Sequence, residues 1–560
     1  MSLLTPADAL RQLAHLAGIR GTDPADLRDA VQVLDRLSPA ETGTLLENAR
    51  AGQFPALHTF SPDVARAIRH IALAGGEGAV AAVHARLPWV LRRLLEIGTI
   101  THAQACGLVR DLGIVTLVDL QTAVEDGRTA QLPDGIGERL AESVRLLGAE
   151  SRSYTLGRAW EILDTVKTII ETSCRAVDAI TIAGDARRCE PLVEHLALVV
   201  RTADAGSCLD SLSAAPGVED VLHRSGRRGI ISHQQAEVDV RFAAADDFGT
   251  VLFGATGSPG HVRGVATRRR PGLCAREADV YSHAGVPWIP PEMRNANGEI
   301  ELAASGRLPR LVDRADIRGD LHMHSTYSDG QDTVEAMVSA ARELGYEYVA
   351  ITDHSENAAA SRTVTIDQLA RQREEIERLR ERFPRPAILH GIEVDILPDG
   401  TLDFSDAVLE QLDIVLASLH DAAGQDGAAL TRRCIRAIQH PLVNVITHPS
   451  NQLVGRRGAY PMDYAAIYDA AAETGTALEV DGAPSHLDLD GDRARAAVQA
   501  GVTVVIDSDC HRARALDRQM QFGLGTARRG WVEPRHVLNT RPLAEVRAFI
   551  ERKRAGRIHG

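Results

Sequence analysis

The sequence predicts a multi-domain α/β protein that ends in a distorted barrel of seven β/α units. Three observations predict it. After residue 316, apolar β-rich runs alternate with amphipathic helices, which implies a parallel sheet with right-handed crossovers. Seven of those runs are followed at once by His, Asp or Glu, the placement expected where barrel loops build a site at the C-terminal strand ends. The front half has another texture: helical to about residue 150, then short strand-like runs between helices and turns.

Residues 1–85 read as a helical N-terminal domain. Thr5-Pro6 supplies an N-cap with Pro at the first helical position, DALRQLAHLAGI follows at helix spacing, and DPADLRDAVQVLDRL repeats the pattern. Residues 86–153 form a second helical region, with LPWVLRRLLEIG, TLVDLQTAVEDG and a Gly135-Ile136-Gly137 turn leading into ERLAESVRLL. From 154 to 288, DAITIAG, LALVVRT and AEVDVRFAA read as strands of an α+β domain. Pro287, Pro290 and Pro291 open a stretch read as an exposed linker over 289–315. The barrel takes 316–560.

Composition excludes several classes. No apolar run reaches 18 residues and no basic stretch precedes an apolar one at the N-terminus, so no membrane span is expected and the cytoplasm is the expected compartment. The seven cysteines are scattered without a C-x-x-C pair, against a disulfide framework or a zinc finger. A net charge of −14 does not favour nucleic acid globally, although metal-holding carboxylates inflate that figure and local basic patches still bind phosphate.

The barrel residues carry the chemistry. Asp320-Leu-His322-Met-His324 opens the series; YEYVAITDHS delivers His354 and AILHGIEVDIL delivers Glu393. DIVLASLHD gives His420, VNVITHPS gives His448, TALEVDG gives Glu479 and Asp481, and VTVVIDSDCH gives Asp509 and His511. One strand-end histidine is ordinarily a hydrogen-bonded structural residue; a run of six or seven is not. So many imidazoles and carboxylates at an apolar mouth are costly unless cations sit among them. Mixed His and carboxylate donors suit Mn, Zn or Fe, and their number exceeds the needs of one ion, so two or three divalent ions are expected.

HxH followed by SDG, then TDHS, GIEVDI, ASLHD, THP and a final DxH together resemble the PHP phosphoesterase domain across some 240 residues. THPSNQLVGRR and GLGTARRGWVEPRHVLNTRPL further resemble the PHP domain of bacterial family X DNA polymerases, which carries 3′–5′ exonuclease activity. The resemblance implies one ion on His322, His324, Glu393 and Asp509, a second on Glu393, His420 and His448, and a third on Asp329, His354 and His511. Glu393, His420 and Asp509 are the implied catalytic residues. Asp329 in SDG also suits a plain turn. Arg456 and Arg457 are candidates to clamp the substrate phosphate, or solvated surface arginines. His390, His440, His486 and His536 lie off the strand ends and read as structural.

The first 315 residues resemble the polymerase part of that family, degenerate where its chemistry lies. AGDARR resembles the glycine–serine loop, with Asp185 in the serine position ahead of Arg187. AEVDVRF implies Asp239 as the third catalytic carboxylate, while the first two fall at His195 and Ala197. One carboxylate cannot hold two Mg²⁺ ions, so polymerase activity is expected to be lost. The only lysines are Lys167 and Lys553, so a Schiff-base lyase in the N-terminal domain is not expected. Gly135 and Gly137 resemble a helix-hairpin-helix DNA contact and equally an ordinary turn.

The functional expectation is a metal-dependent 3′–5′ exonuclease or related DNA-repair phosphodiesterase, with single-stranded or gapped DNA as partner. A phosphatase of small phosphate monoesters and a non-catalytic DNA-binding scaffold are the alternatives.

Overall fold

The structure is a computed structural model that describes residues 4–53, 60–270, 272–358 and 362–555. Residues 1–3 and 54–59 of the expected helical region, and 556–560 of the barrel region, lie outside the described residues. The chain divides into two compact units: Met1–Ser153, Ala159–Gly184 and Glu194–Ala284 form one, and Tyr154–Arg158, Asp185–Val193 and Gly285–Gly560 form the other.

The front unit starts as its sequence dictates. Thr5 accepts from the Asp8 N–H at 3.1 Å, Pro6 opens helix Pro6–Arg20, and Gly21 closes it in the left-handed region at φ 81°. Capping boxes at Ser38/Glu41 and Thr101/Gln104 start helices Pro39–Arg50 and His102–Leu112. A single apolar core runs through helices on both sides of residue 85, taking Leu10, Ile68, Leu91, Leu120 and Leu140. The expected strands form Val177–Ala183, Leu196–Thr202 and Ala236–Ala243, joined by a hairpin of Asp220–Ser225 and Arg228–His233. In the resulting five-stranded sheet only Leu196–Thr202 and Ala236–Ala243 run parallel.

The second unit holds the barrel. Its strands are Gly319–Asp320, Tyr348–Ile351, Ala387–Asp395, Ile414–Ser418, Val445–Ile446, Ala477–Asp481 and Val504–Asp507. All pair in parallel and each lies beside the next in sequence. The last returns to the first through one bridge, Met323 to Cys510, where His324 N–H donates to the Cys510 carbonyl at 2.9 Å. Side chains separate by the two-residue period of a strand. Val349, Ile351, Ile392, Val394, Leu478 and Val480 face the surrounding helices. Tyr348, Ala350, Leu389, Leu416 and Val505 fill the barrel interior, together with Phe549 and Ile550 of helix Leu543–Ala555. That C-terminal helix therefore plugs the N-terminal ends of the strands, and the Tyr348 hydroxyl donates to the Arg541 carbonyl at 2.8 Å. The opposite end is left to the ionisable residues.

Where the sequence reading expects an exposed linker over 289–315, the chain forms Pro291–Met293 and Glu299–Ala304 and buries Ile289, Met293, Arg294 and Glu299. The prolines suggest solvent, but Ile, Met and an arginine stacked on Trp288 at 5.6 Å supply enough apolar surface to pack.

Phe549→Ala is expected to destabilise the barrel by about 3–5 kcal/mol, because it empties the plug while leaving the strand ends untouched. Urea denaturation of the purified variant measures this; a midpoint equal to wild type would refute the plug.

Candidate metal centre

The period-two rule aims the ionisable residues. Met323 packs outward against the helices, so His322 and His324 on either side of it point inward. Ile392 and Val394 do the same for Glu393, and Leu478 and Val480 for Glu479. His354, His420, His448, Asp509 and His511 stand just past the ends of their strands. Two of them hold left-handed backbone: His448 at φ 28° and Asp509 at φ 48°. Such conformations cost about 1–3 kcal/mol each and persist where the surroundings enforce them. Here the His448 N–H is fixed by Glu479 Oε2 at 2.7 Å.

All nine residues that the resemblance implies as ligands meet at one mouth. His322, His324 and Asp509 form one group, with Asp509 Oδ1 3.6 Å from His322 Nε2 and 3.1 Å from His324 Nε2. His324, Asp329, His354 and His511 form another, with Asp329 Oδ1 3.2 Å from His511 Nε2 and 3.5 Å from His354 Nε2. The His324 ring stacks on both His354 and His511, centroids 4.3 and 4.2 Å away. Asp329 thus joins the cluster as well as turning the chain. A third group is His354, Glu393 and His420. Glu393 is fully buried: Oε1 lies 2.9 Å from His448 Nε2 and 3.4 Å from His420 Nε2, and Oε2 lies 2.7 Å from His354 Nδ1. Oε2 is also 3.5 Å from His322 Nε2 and 3.7 Å from His324 Nε2.

These donors fit divalent ions. Glu393 Oε2, Asp329 Oδ1 and His354 Nδ1 are buried inside the cluster without a well-aligned hydrogen bond, and the His324 and His448 rings face it through Nε2. Ring nitrogens of His322 and His324 approach to 3.1 Å, two nitrogens turned toward one space. Buried polar atoms left in this state are the exception in folded proteins, and a shared cation satisfies them together.

Of the residues that orient these side chains, the sequence places Glu479 at a strand end without giving it a role and does not single out Asp395 or Thr447. Glu479 Oε1 accepts from His322 Nδ1 at 2.6 Å, Asp395 accepts from His420 Nδ1, and the Thr447 hydroxyl donates to Glu393 Oε1 at 2.9 Å. Partners of this kind fix the ring and its tautomer. Asp395 was legible: E-V-D puts it two residues after Glu393, on the same face. His486, read as structural, stacks on His448 with centroids 5.2 Å apart; nothing in its own sequence context marks it.

Charge balance in the cluster is tight. Burial disfavours a charged His420, yet Glu393 and Asp395 raise it to about 10. Burial likewise opposes a charged His511, and Asp509 and Asp329 raise it to about 9. Burial pushes Glu393 up, but His354, His420 and His322 hold it well below the ordinary range. His324, buried beside His511 and His354, is pushed down to about 3.

Arg457 donates to the Asn451 carbonyl at 2.7 Å and to its Oδ1 at 2.9 Å, over the Tyr460 ring. Arg456 and Arg457 both line a separate cavity that none of the nine residues enters.

In the front unit Ala197 lies opposite Asp239 in the parallel register, and His195 Nε2 is 3.1 Å from Asp239 Oδ2. Asp239 is buried and accepts from Arg228 at 2.8 and 2.7 Å and from Arg241 at 3.0 Å. Burial pushes its carboxyl up, but these two guanidinium groups hold it well below the usual range. Asp185 and Arg187 belong to the other unit, where Asp185 accepts from Arg188 at 2.7 Å. Gly135 caps helix Ile136–Glu150 at φ 65°. Gly137 is demanded by packing, since a Cβ there would meet the Thr129 carbonyl at 2.3 Å.

The PHP domain family matches residues 320–452. The chain is 31% identical over 503 residues to the DNA polymerase/3′-5′ exonuclease PolX of Bacillus subtilis, a match covering 85% of this chain and 87% of that protein. It is 33% identical over 211 residues to a probable phosphatase of Shewanella sp. (strain MR-4), covering 35% of this chain and 77% of that one. Among solved structures, histidinol phosphate phosphatase of Lactococcus lactis, complexed with zinc, L-histidinol and phosphate, matches at TM-score 0.30 and 18% identity. That match covers 39% of this chain and 95% of the other, and likeness at this level carries no inference. No described helix is long and apolar enough to cross a membrane.

The raised histidines fix a sign for pH. His420 and His511 stand above their unfolded value of 6.5, so their contribution is complete below pH 6.5 and is lost as pH rises through about 9 and 10. The chelated protein is therefore expected to show a Tm that falls from pH 6.5 toward pH 10, and saturating Mn²⁺ to flatten that fall. Calorimetry across this range decides it; a chelated Tm that climbs with pH would contradict the assignment.

Proposed function

Since the chain belongs to the family of the bacterial DNA polymerase/3′-5′ exonuclease PolX and carries that family's metal-dependent PHP phosphoesterase domain, we propose that it hydrolyses DNA from the 3′ end and that its front half no longer polymerises. The substrate is a single-stranded or gapped DNA, and two or three divalent ions, Mn, Zn or Fe, are held at the barrel mouth. One observation carries this reading: Glu393 divides its two oxygens among five imidazoles, Oε1 toward His420 and His448, Oε2 toward His354, His322 and His324.

His322, His324, Glu393 and Asp509 would hold one ion, Glu393, His420 and His448 a second, and Asp329, His354 and His511 a third. Adjacent divalent ions supply charge neutralisation at the phosphoryl oxygens and acidify an attacking water. The chain's part is to fix the geometry. Glu393 is the residue that two of these sets would share. Glu479 and Asp395 accept the second N–H of His322 and His420, which turns the other nitrogen of each ring toward the centre. Burial of the mouth keeps these charges strong by excluding water.

Loss of polymerisation is supported by the fate of Asp239. Its negative charge is already balanced by Arg228 and Arg241, and its strand neighbour is Ala197, so the carboxylates that would gather two Mg²⁺ ions are missing. A second reading, hydrolysis of small phosphate monoesters, is favoured by the likeness to the Shewanella probable phosphatase.

His324→Ala and Asp509→Ala are each expected to abolish Mn²⁺-dependent nucleotide release from labelled single strands and gapped duplexes, with the circular dichroism of the folded protein retained. Wild-type rates in either variant would refute the site. Glu479→Gln is expected to lower metal affinity or rate by roughly 10–100-fold. Faster turnover of p-nitrophenyl phosphate than of DNA would shift the assignment to the monoester reading, and primer extension by the wild type would refute a silent polymerase half.

A further inference from the structure

Beyond the metal centre, the second unit contains a cavity of about 510 Å³, the size of a small-ligand site. Its wall includes loop residues 452–458, which follow His448, and the start of helix Gly491–Gln499. Three arginines line it beside three carboxylates, of which Glu190 is paired with Arg529 and Asp490 with Arg493, and the third is Asp492. Arg457 is engaged with Asn451, and Arg529 is paired with Glu190 at 2.6 Å and donates to the Arg188 carbonyl at 3.2 Å. Arg456 is exposed and has no ion pair or side-chain hydrogen bond among the described residues. A guanidinium free of protein carboxylates is a bidentate donor for phosphate oxygens. Leu192, Val454 and Leu487 add an apolar surface suited to a flat ring, and the amides of Asn295 and Asn297 both donate and accept.

Gln452 joins this cavity to the metal centre. Its carbonyl accepts from His486 Nδ1 at 3.1 Å, and its side-chain amide donates to the carbonyls of His486 and Leu487 at 3.0 and 2.9 Å. His486 in turn stacks on His448. An occupant of the cavity therefore sits on a wall one side chain removed from a ligand of the proposed metal cluster.

We propose that this cavity is a nucleotide subsite: it takes a deoxynucleoside 5′-phosphate unit with Arg456 on the phosphate, and, resting on the phosphodiesterase reading above, that unit comes from the strand being hydrolysed or is the mononucleotide released from it. The test is equilibrium binding to the full chain in EDTA, using dTMP, a short oligothymidylate and inorganic phosphate as probes. Wild type is expected to bind a nucleotide probe more tightly than phosphate. Arg456→Ala should weaken that binding roughly tenfold and lower the salt slope for the oligonucleotide by about one. His324→Ala should bind as wild type does under chelation. Oligonucleotide binding alone identifies a strand subsite; equal binding of dTMP identifies a product site. The proposal is overturned if neither nucleotide binds, if phosphate binds as tightly as dTMP, or if Arg456→Ala leaves affinity unchanged. A parallel Mn²⁺ hydrolysis assay separates the two readings. DNA left uncut while Arg456-dependent binding persists sinks the phosphodiesterase reading alone, and DNA cut without such binding sinks the subsite alone.

Discussion

Glu393 is the charge around which the barrel mouth is arranged. A fully buried carboxylate costs several kcal/mol unless positive charge surrounds it. Five imidazoles surround it; in the chelated state the proton-holding ones include His322 and His420, raised against burial by the carboxylates around them, and Glu393 is held far below its ordinary range, while His324, beside His354 and His511, is pushed down to about 3. Divalent ions answer the same need without protons. The converging donors and the pairing of Glu479 and Asp395 with the far sides of two rings follow from that requirement.

The barrel makes this concentration of charge tolerable by separating its functions in space. One residue in two along each strand packs against the helices and the other enters the interior. At one end the interior is closed by Phe549 and Ile550, so stability is gathered there. At the other end, residues just past the strands are free of packing duty. Left-handed backbone at His448 and Asp509 is affordable because the scaffold beneath is complete.

The front unit shows the opposite solution to the same problem. Asp239 is as deeply buried as Glu393, but its partners are Arg228 and Arg241, whose positive charge is part of the chain. A carboxylate neutralised by guanidinium groups has no need of a cation, and Ala197 beside it offers no further oxygen. Two buried carboxylates in one chain are thus balanced in different ways, one among imidazoles and the other by guanidinium groups.

Much of this was written in the order of residues. Thr5-Pro6 started the first helix because caps are local, and the run of strand-end His, Asp and Glu announced a common mouth because a parallel barrel brings every strand terminus to the same face. Eight of the nine ligand candidates were legible for that reason, Asp329 came only through the family resemblance, and Asp395 could have been read from its two-residue offset to Glu393. Tertiary structure alone decided the rest. It set Arg456 and Arg457 on the wall of a cavity, laid His486 against His448, and packed the proline-rich 289–315 segment that reads as a linker. The difference is physical. Caps and strand alternation depend on neighbours a few residues away, whereas loop placement, ring stacking and cavities depend on contacts that no spacing along the chain encodes.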